Sequence, residues 1–217
     1  MKKMVLMALC LMVLASGVFA MDKAVGGGVL FNAGFTSMEQ SGSYSDPYFG
    51  SYSWKQEVEM SRTGFGAFGF FGLGRFFELN LGFLYKEPQE IKWKYSESTG
   101  YSGSGTESGD WLEGTGALQI GAYGKYPIPL SEMFVFFPTG GVDFEISLSS
   151  EEGSTGWKWW HDLWLRAGVG LDIFFTERMF LRTHAIYGVA IPVGGEEDLG
   201  LKIGHGLLIK IGLGWMF

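Results

Sequence analysis

From residue 25 to residue 217, apolar side chains recur at every second position, and no stretch shows the 3.6-residue stripe of a helix. Period two assigns strands, and it repeats down the chain. In 25–35 the odd positions read Val25, Gly27, Val29, Phe31, Ala33, Phe35, against Leu30, Asn32 and glycines on the even side. In 77–86 the row is Phe77, Leu79, Leu81, Phe83, Tyr85, and further rows fall in 112–126, 134–148, 163–173, 181–191 and 199–217. Between 62 and 73 two phases compete, Phe65 and Phe71 against Phe68 and Phe70, and a bulge near Arg62 to Gly64 would reconcile them. That makes eight strands. Short connections fall near 74–76, 127–132 and 175–178; long ones fall near 37–61, 87–111 and 149–162, with a shorter fourth near 192–198. The long connections therefore share one end. The predicted fold class is all-β, an eight-stranded antiparallel up-and-down arrangement.

The N-terminus carries a separate signal. Lys2 and Lys3 precede an apolar run from Met4 to Leu14, and Val18-Phe19-Ala20 ends it with a small residue at the cut. This is the pattern of a secretory signal peptide cleaved after Ala20, with Gly17 as the alternative, and it divides the chain into 1–20 and 21–217. Cys10 is the only cysteine and lies within the apolar run, so the exported part carries no disulfide. Leu9 stands where a lipoprotein signal needs a small residue. Beyond the first twenty residues no run of about 18 uncharged apolar residues could cross a membrane as a helix, although mean hydropathy is +0.14. The net charge of −7 argues against nucleic acid as a partner, since phosphate backbones call for a basic face.

Alternation does not say which face is inside. A soluble barrel turns its apolar rows inward; a membrane barrel turns them out and keeps polar groups in the lumen. Here the apolar rows are nearly free of charge, the opposite rows are rich in glycine, and the long connections are segregated to one end. These features predict a membrane barrel, the one strand solution that leaves no unpaired edge in lipid. The last strand runs Ile209, Ile211, Leu213, Trp215, Phe217. This ending resembles the C-terminal strand of bacterial outer-membrane proteins, and the chain as a whole resembles the small eight-stranded barrels of the OmpX/Ail, OmpW and OmpA-barrel group. The resemblance implies a bacterial outer-membrane location after Sec-type export. It implies outer-membrane lipid as surroundings, and recognition of Trp215 and Phe217 by the barrel-assembly machinery.

An eight-stranded interior is only wide enough for side chains. The rows expected to face it carry Glu78, Glu113, Asp143, Glu145 and Asp172, with Lys86, Lys125, Arg166, Arg182, Lys202 and Lys210. Buried charge has to be paired. Hairpin neighbours suggest Asp172 with Arg182, Glu145 with Arg166, and Lys86 with Glu113. The expectation is a charge-plugged lumen; the alternative is a narrow channel, which in the OmpW subgroup the resemblance associates with small hydrophobic molecules.

The four long connections hold fifteen acids against four lysines. They also hold six of the eight tryptophans, with Trp157-Lys158-Trp159-Trp160 as the densest cluster. Trp93, Trp157, Trp159 and Trp160 are candidates for recognition of an extracellular protein or glycan. Ile91, Trp93 and Tyr95 continue the alternation of 77–86 beyond Pro88, so that strand is expected to project outward. In the OmpX/Ail group such projections are linked to adhesion, which makes a structural or adhesin-like surface role the leading functional expectation. His205 has no hydroxyl nearby on its strand, His161 lies next to Asp162 without an evident nucleophile, and His184, with Arg182 beside it by alternation, suits a structural network, so an enzyme, in particular a lipid-modifying one, is not expected, and neither are a cofactor or a metal site.

Overall fold

A computed structural model describes residues 23–46, 50–107, 114–148, 161–192 and 202–217. Residues 1–22, with the expected leader, lie outside the described residues, as do Glu113, Trp157, Trp159 and Trp160 and the side chain of Lys202.

The described chain is all-β and every pairing is antiparallel. In chain order the strands are β1 (Lys23–Asp46), β2 (Gly50–Leu73), β3 (Phe77–Glu97), β4 (Ser102–Glu107), β5 (Thr115–Lys125), β6 (Ile128–Pro129), β7 (Phe134–Leu148), β8 (His161–Phe174), β9 (Met179–Pro192) and β10 (Lys202–Met216). The long strands pair in sequence order, with β5 following β3 and β7 following β5. β10 then pairs with β1 from Ala24↔Met216 to Met38↔Lys202, so the path returns to its start. At the seam Lys23 N donates to Phe217 O at 3.2 Å and Phe217 N to Lys23 O at 2.9 Å. β4 and β6 are short additions against β3 and β7.

The long connections at 37–61 and 87–111 are largely strand, as the alternation of Ile91, Trp93 and Tyr95 indicated for the second. β1 and β2 stay paired as far as Asp46↔Gly50, through most of 37–61. β3 continues to Glu97 and turns back at Gly100, in the left-handed region at φ 91°, into β4. The 37–61 stretch hid from the apolar pattern because Ser, Gly and charged residues dominate it, yet it alternates as the inner strands do. The 149–160 and 193–201 connections lie outside the described residues.

The expected bulge falls on the neighbouring strand. β1 and β2 pair without interruption through Arg62–Gly64. On β3, Arg62 faces Pro88 and Ser61 faces Glu90, which leaves Gln89 without a partner. Pro88 has no N–H for the ladder, so the extra residue sits where pairing is already broken. The phase of β2 is thereby fixed: Phe65 and Phe71 are exposed, whereas Phe68 and Phe70 are buried.

Burial runs against the usual rule. Charged and amide side chains are enclosed: Asp143 and Lys210 are 0% exposed, Glu78 and Glu145 1%. Outside, Val25, Val29, Phe31, Leu79, Leu81, Phe83, Ile120 and Leu213 are all exposed, Leu81 at 57%. Glycine makes the interior possible. An added Cβ at Gly170 would lie 2.3 Å from the Phe137 ring, and at Gly214 2.3 Å from the Phe180 ring. At Gly28 it would meet backbone, 2.0 Å from the Ile211 carbonyl oxygen.

Candidate functional site: a charged interior and a two-faced outer sheet

The lower network centres on Arg182. Across the β8–β9 turn its Nε and Nη2 donate to the two Asp172 oxygens at 2.7 and 2.6 Å, a bidentate pair set by the Asp172↔Arg182 register. Its Nη1 donates to Glu78 on β3, which lies on the far side of the ring from β9. Glu78 also accepts from Asn80 Nδ2 at 3.0 Å and Lys125 Nζ at 3.4 Å. Lys210 on β10 donates to Asn80 Oδ1 at 3.3 Å. The guanidinium carbon stands 4.7 Å from the Phe70 ring centre and 4.8 Å from that of Phe180, so aromatic faces shield the charge from the side. Side chains from opposite walls thus meet across the interior.

The upper network differs from the expected pairing. Arg166 lies opposite Gly141, so its diagonal neighbour is Asp143, and the Arg166 Nε–Asp143 Oδ2 distance is 2.5 Å. Tyr123 donates to the same Asp143 oxygen at 2.5 Å. Glu145, expected with Arg166, pairs with Lys86, which reaches over the intervening β5. Lys86 faces Thr115 in register, and the Glu113 expected for it lies outside the described residues.

The interior also has an apolar share. Leu30, Leu84, Ile186 and Leu208 are 0% exposed, and Phe70, Phe137 and Phe180 are buried with them. All seven stand on the rows facing the charges, where a strictly charge-based list passes over them. Their even-numbered or glycine-flanked positions were the available signal. These rings and the bridging ion pairs occupy the described interior. In planar bilayers the protein is expected to give no large, stable open steps.

Toward the far end of β1, β2 and β3 the polarity reverses. On β2 the row that faces inward lower down continues as Trp54, Gln56, Val58 and Met60. On β3 the extra residue Gln89 turns the odd-numbered row inward, and Ile91, Trp93 and Tyr95 register against Met60, Val58 and Gln56. Glycines face the tryptophans: a Cβ at Gly42 would lie 2.7 Å from the Trp54 indole, and one at Gly105 2.7 Å from that of Trp93. The opposite face is charged. Lys55 bridges Glu57 at 2.9 Å and Glu39 at 3.1 Å, and Lys92 bridges Glu90 at 3.3 Å. Glu57 and Glu39 raise the Lys55 ammonium, and Lys55 in turn lowers the Glu57 carboxyl. A hydrogen bond to Glu97 pushes the Tyr95 hydroxyl up to about 12. β1, β2, β3 and β4 so form a sheet extension with one aromatic and one charged face.

The outer surface changes at the same level. Phe35, Phe65 and Tyr187 give way to Ser37, Ser61 and Glu59. His205 is exposed, stacks on Phe35 at 5.4 Å and has Nδ1 2.9 Å from the Tyr187 hydroxyl. At the turn end, Phe76, Phe77, Tyr126, Phe175, Trp215 and Phe217 are exposed. Ten residues of β1 separate Val25 from Phe35, which is about 25 Å of height for a strand tilted by about 40°. His184 is buried within the interior against Phe137 at 5.1 Å. Among the described residues no cluster of three metal-ligating side chains occurs.

No family model matches the sequence, and no curated protein matches it. Solved structures are similar in shape. The outer membrane protein OprG from Pseudomonas aeruginosa aligns over 91% of this chain and 96% of its own, with 15% identity and a TM-score of 0.43. Neisserial surface protein A aligns over 88% and 99%, with 12% identity and a TM-score of 0.40. The N-terminal β-barrel domain of OprF from Pseudomonas aeruginosa aligns over 85% and 97%, with 14% identity and a TM-score of 0.34.

Proposed function

We propose that the chain is an integral protein of the bacterial outer membrane: an eight-stranded transmembrane barrel with a closed interior, whose outer sheet makes contacts at the cell surface. The observation that carries this reading is the inversion of burial. A water-soluble ring would not enclose Glu78, Asp143, Glu145 and Lys210 while exposing Val29, Phe31, Leu81 and Phe83. Lipid around the apolar rows makes that arrangement favourable, because both the buried ion pairs and the exposed rings then lie in matching surroundings. The two aromatic belts, about one hydrocarbon thickness apart, support the same placement. In this reading residues 1–20 direct export, and Trp215 and Phe217 on the last strand are offered to the assembly machinery.

The surface role is supported by the outer sheet. It stands beyond the aromatic level, and it carries Trp54, Trp93 and Tyr95 on one face. Trp and Tyr are the residues most often found at contact hot spots, and a protein or glycan surface is the partner class they suit. Trp157, Trp159 and Trp160 are proposed to join them. The test is binding of cells displaying the full chain to host cells or extracellular matrix. Deleting 98–109 and 157–160 together is expected to abolish binding while leaving the barrel in the membrane; binding that survives this deletion counts against the surface role.

A further inference from the structure

We propose that the aromatic face of the outer sheet is a stacking track for an extended, uncharged glycan. The inference rests on the surface role proposed above and names the chemistry of its partner. Register sets the track. Tyr44 faces Tyr52, Gly42 faces Trp54, Gln56 faces Tyr95 and Val58 faces Trp93, which Gly105 flanks in turn from β4. Residues directly opposite one another in a sheet share a face, and so do residues two apart. One row of rings therefore runs from Tyr44 and Tyr52 through Trp54 and Tyr95 to Trp93.

The two indoles lie flat. A Cβ built on Gly105 would stand 2.7 Å from both Cε2 and Cζ2 of Trp93 and 2.8 Å from its Nε1. One built on Gly42 would stand 2.7, 2.8 and 2.9 Å from Nε1, Cε2 and Cζ2 of Trp54. A point so nearly equidistant from three bonded ring atoms lies over the ring plane, not beside its edge. Each indole thus covers a glycine with one face and turns the other away from the sheet. Both tryptophans are half-buried, and Tyr44 is 55% exposed. Four positions along the ladder separate the two indoles, about 13 Å at about 3.3 Å per residue.

A flat ring face takes a flat partner. The C–H face of a pyranose ring is one, because its polarised hydrogens meet the negative face of the indole. The hydroxyls at its rim need donors and acceptors. The Gln56 amide supplies both, and the Tyr95 oxygen accepts while its own proton goes to Glu97. The separation of the indoles calls for a chain of several sugars. Charge selects among such chains. From Met60 outward, the described side chains of this face include Glu97 and Glu107 and no lysine or arginine, so a polyanionic glycan is repelled. A protein partner would anchor its side chains in well-packed pockets, whereas rings laid flat on glycine present a platform.

The probe is chitohexaose, a linear uncharged oligosaccharide, titrated into the full chain in detergent micelles, with heparin as the polyanionic control. Chitohexaose is expected to change the indole fluorescence saturably, and heparin to leave it unchanged. Trp54→Ala and Trp93→Ala are each expected to weaken binding about tenfold, and Lys94→Ala on the opposite face to leave it as it is. Gly105→Ala keeps both tryptophans, but its methyl lifts the Trp93 ring, so binding should weaken in a protein that still runs as the compact gel band. No saturable response to chitohexaose, an equal response to heparin, or a response that both tryptophan substitutions leave intact overturns the proposal. Cells displaying the chain separate this inference from the surface role itself. Binding to matrix that is lost when glycans are removed enzymatically supports the track. Binding that survives their removal keeps the surface role and overturns the glycan, and no binding to cells or matrix at all overturns both.

Discussion

Arg182→Ala is expected to lower the stability of the folded protein by about 3–5 kcal/mol, the usual cost of stranding a buried charge partner. The arginine satisfies Asp172 with two bonds and reaches Glu78 on the far wall, and all three side chains are nearly sealed from solvent. Removing it strips Asp172 of its bidentate partner and leaves Glu78 with the Lys125 and Asn80 hydrogen bonds, beside Phe70 and Phe180. The measurements are the urea midpoint in detergent micelles and the temperature at which the compact gel band of an unboiled sample is lost. Arg182→Lys keeps the charge but cannot make the bidentate pair, so it should fall between wild type and Arg182→Ala. Arg182→Met combined with Glu78→Gln and Asp172→Asn removes the stranded charge together with its partners and should recover much of the loss. An Arg182→Ala protein as stable as wild type would mean that the network is ornamental.

The second large effect is steric. Gly28→Val is expected to prevent folding into the compact form. Its Cβ would lie 2.0 Å from the Ile211 carbonyl oxygen and 2.4 Å from Gly212 Cα, and backbone in a closed sheet has nowhere to move. Gly69→Ala provides the control, since the nearest atom to its Cβ is the Gly26 carbonyl oxygen at 3.7 Å, an ordinary contact. The readout is the compact band after refolding into detergent. Equal yields for the two variants would contradict the close approach of β1 and β10.

Why some of this was legible in the sequence and some was not follows from the distances involved. The outward rows could be read because exposed and interior positions alternate residue by residue, and one slip would show. The Asp172–Arg182 pair could be read because a four-residue turn joins the two strands, so register follows from counting. Lys86 with Glu145 could not, since the partners stand 59 residues apart and on non-adjacent strands. Arg166 was assigned to Glu145 in place of Asp143 because nothing in residues 149–162 announces where pairing resumes. The outer sheet was read only in part, from Ile91, Trp93 and Tyr95, for a different reason. Its apolar row changes face on β2 without a bulge and on β3 through Gln89, so an expectation of one apolar face per strand breaks at Ser61. Leu30, Leu84 and Ile186 were visible on the inward rows; charge drew attention away from them.

If the exposed apolar rows lie in lipid, spin labels placed on them will report it. Cys10 is the only cysteine, so with Cys10→Ser a single reporter can be placed at will. Labels at Leu79, Leu81 and Phe83 in the protein reconstituted into vesicles should be relaxed by oxygen, which concentrates in hydrocarbon, and hardly at all by a water-soluble nickel chelate. Labels at Lys92 and Lys94 should show the reverse. If positions 79, 81 and 83 prove as open to the nickel chelate as 92 and 94, the outer rows face water and the membrane barrel is wrong.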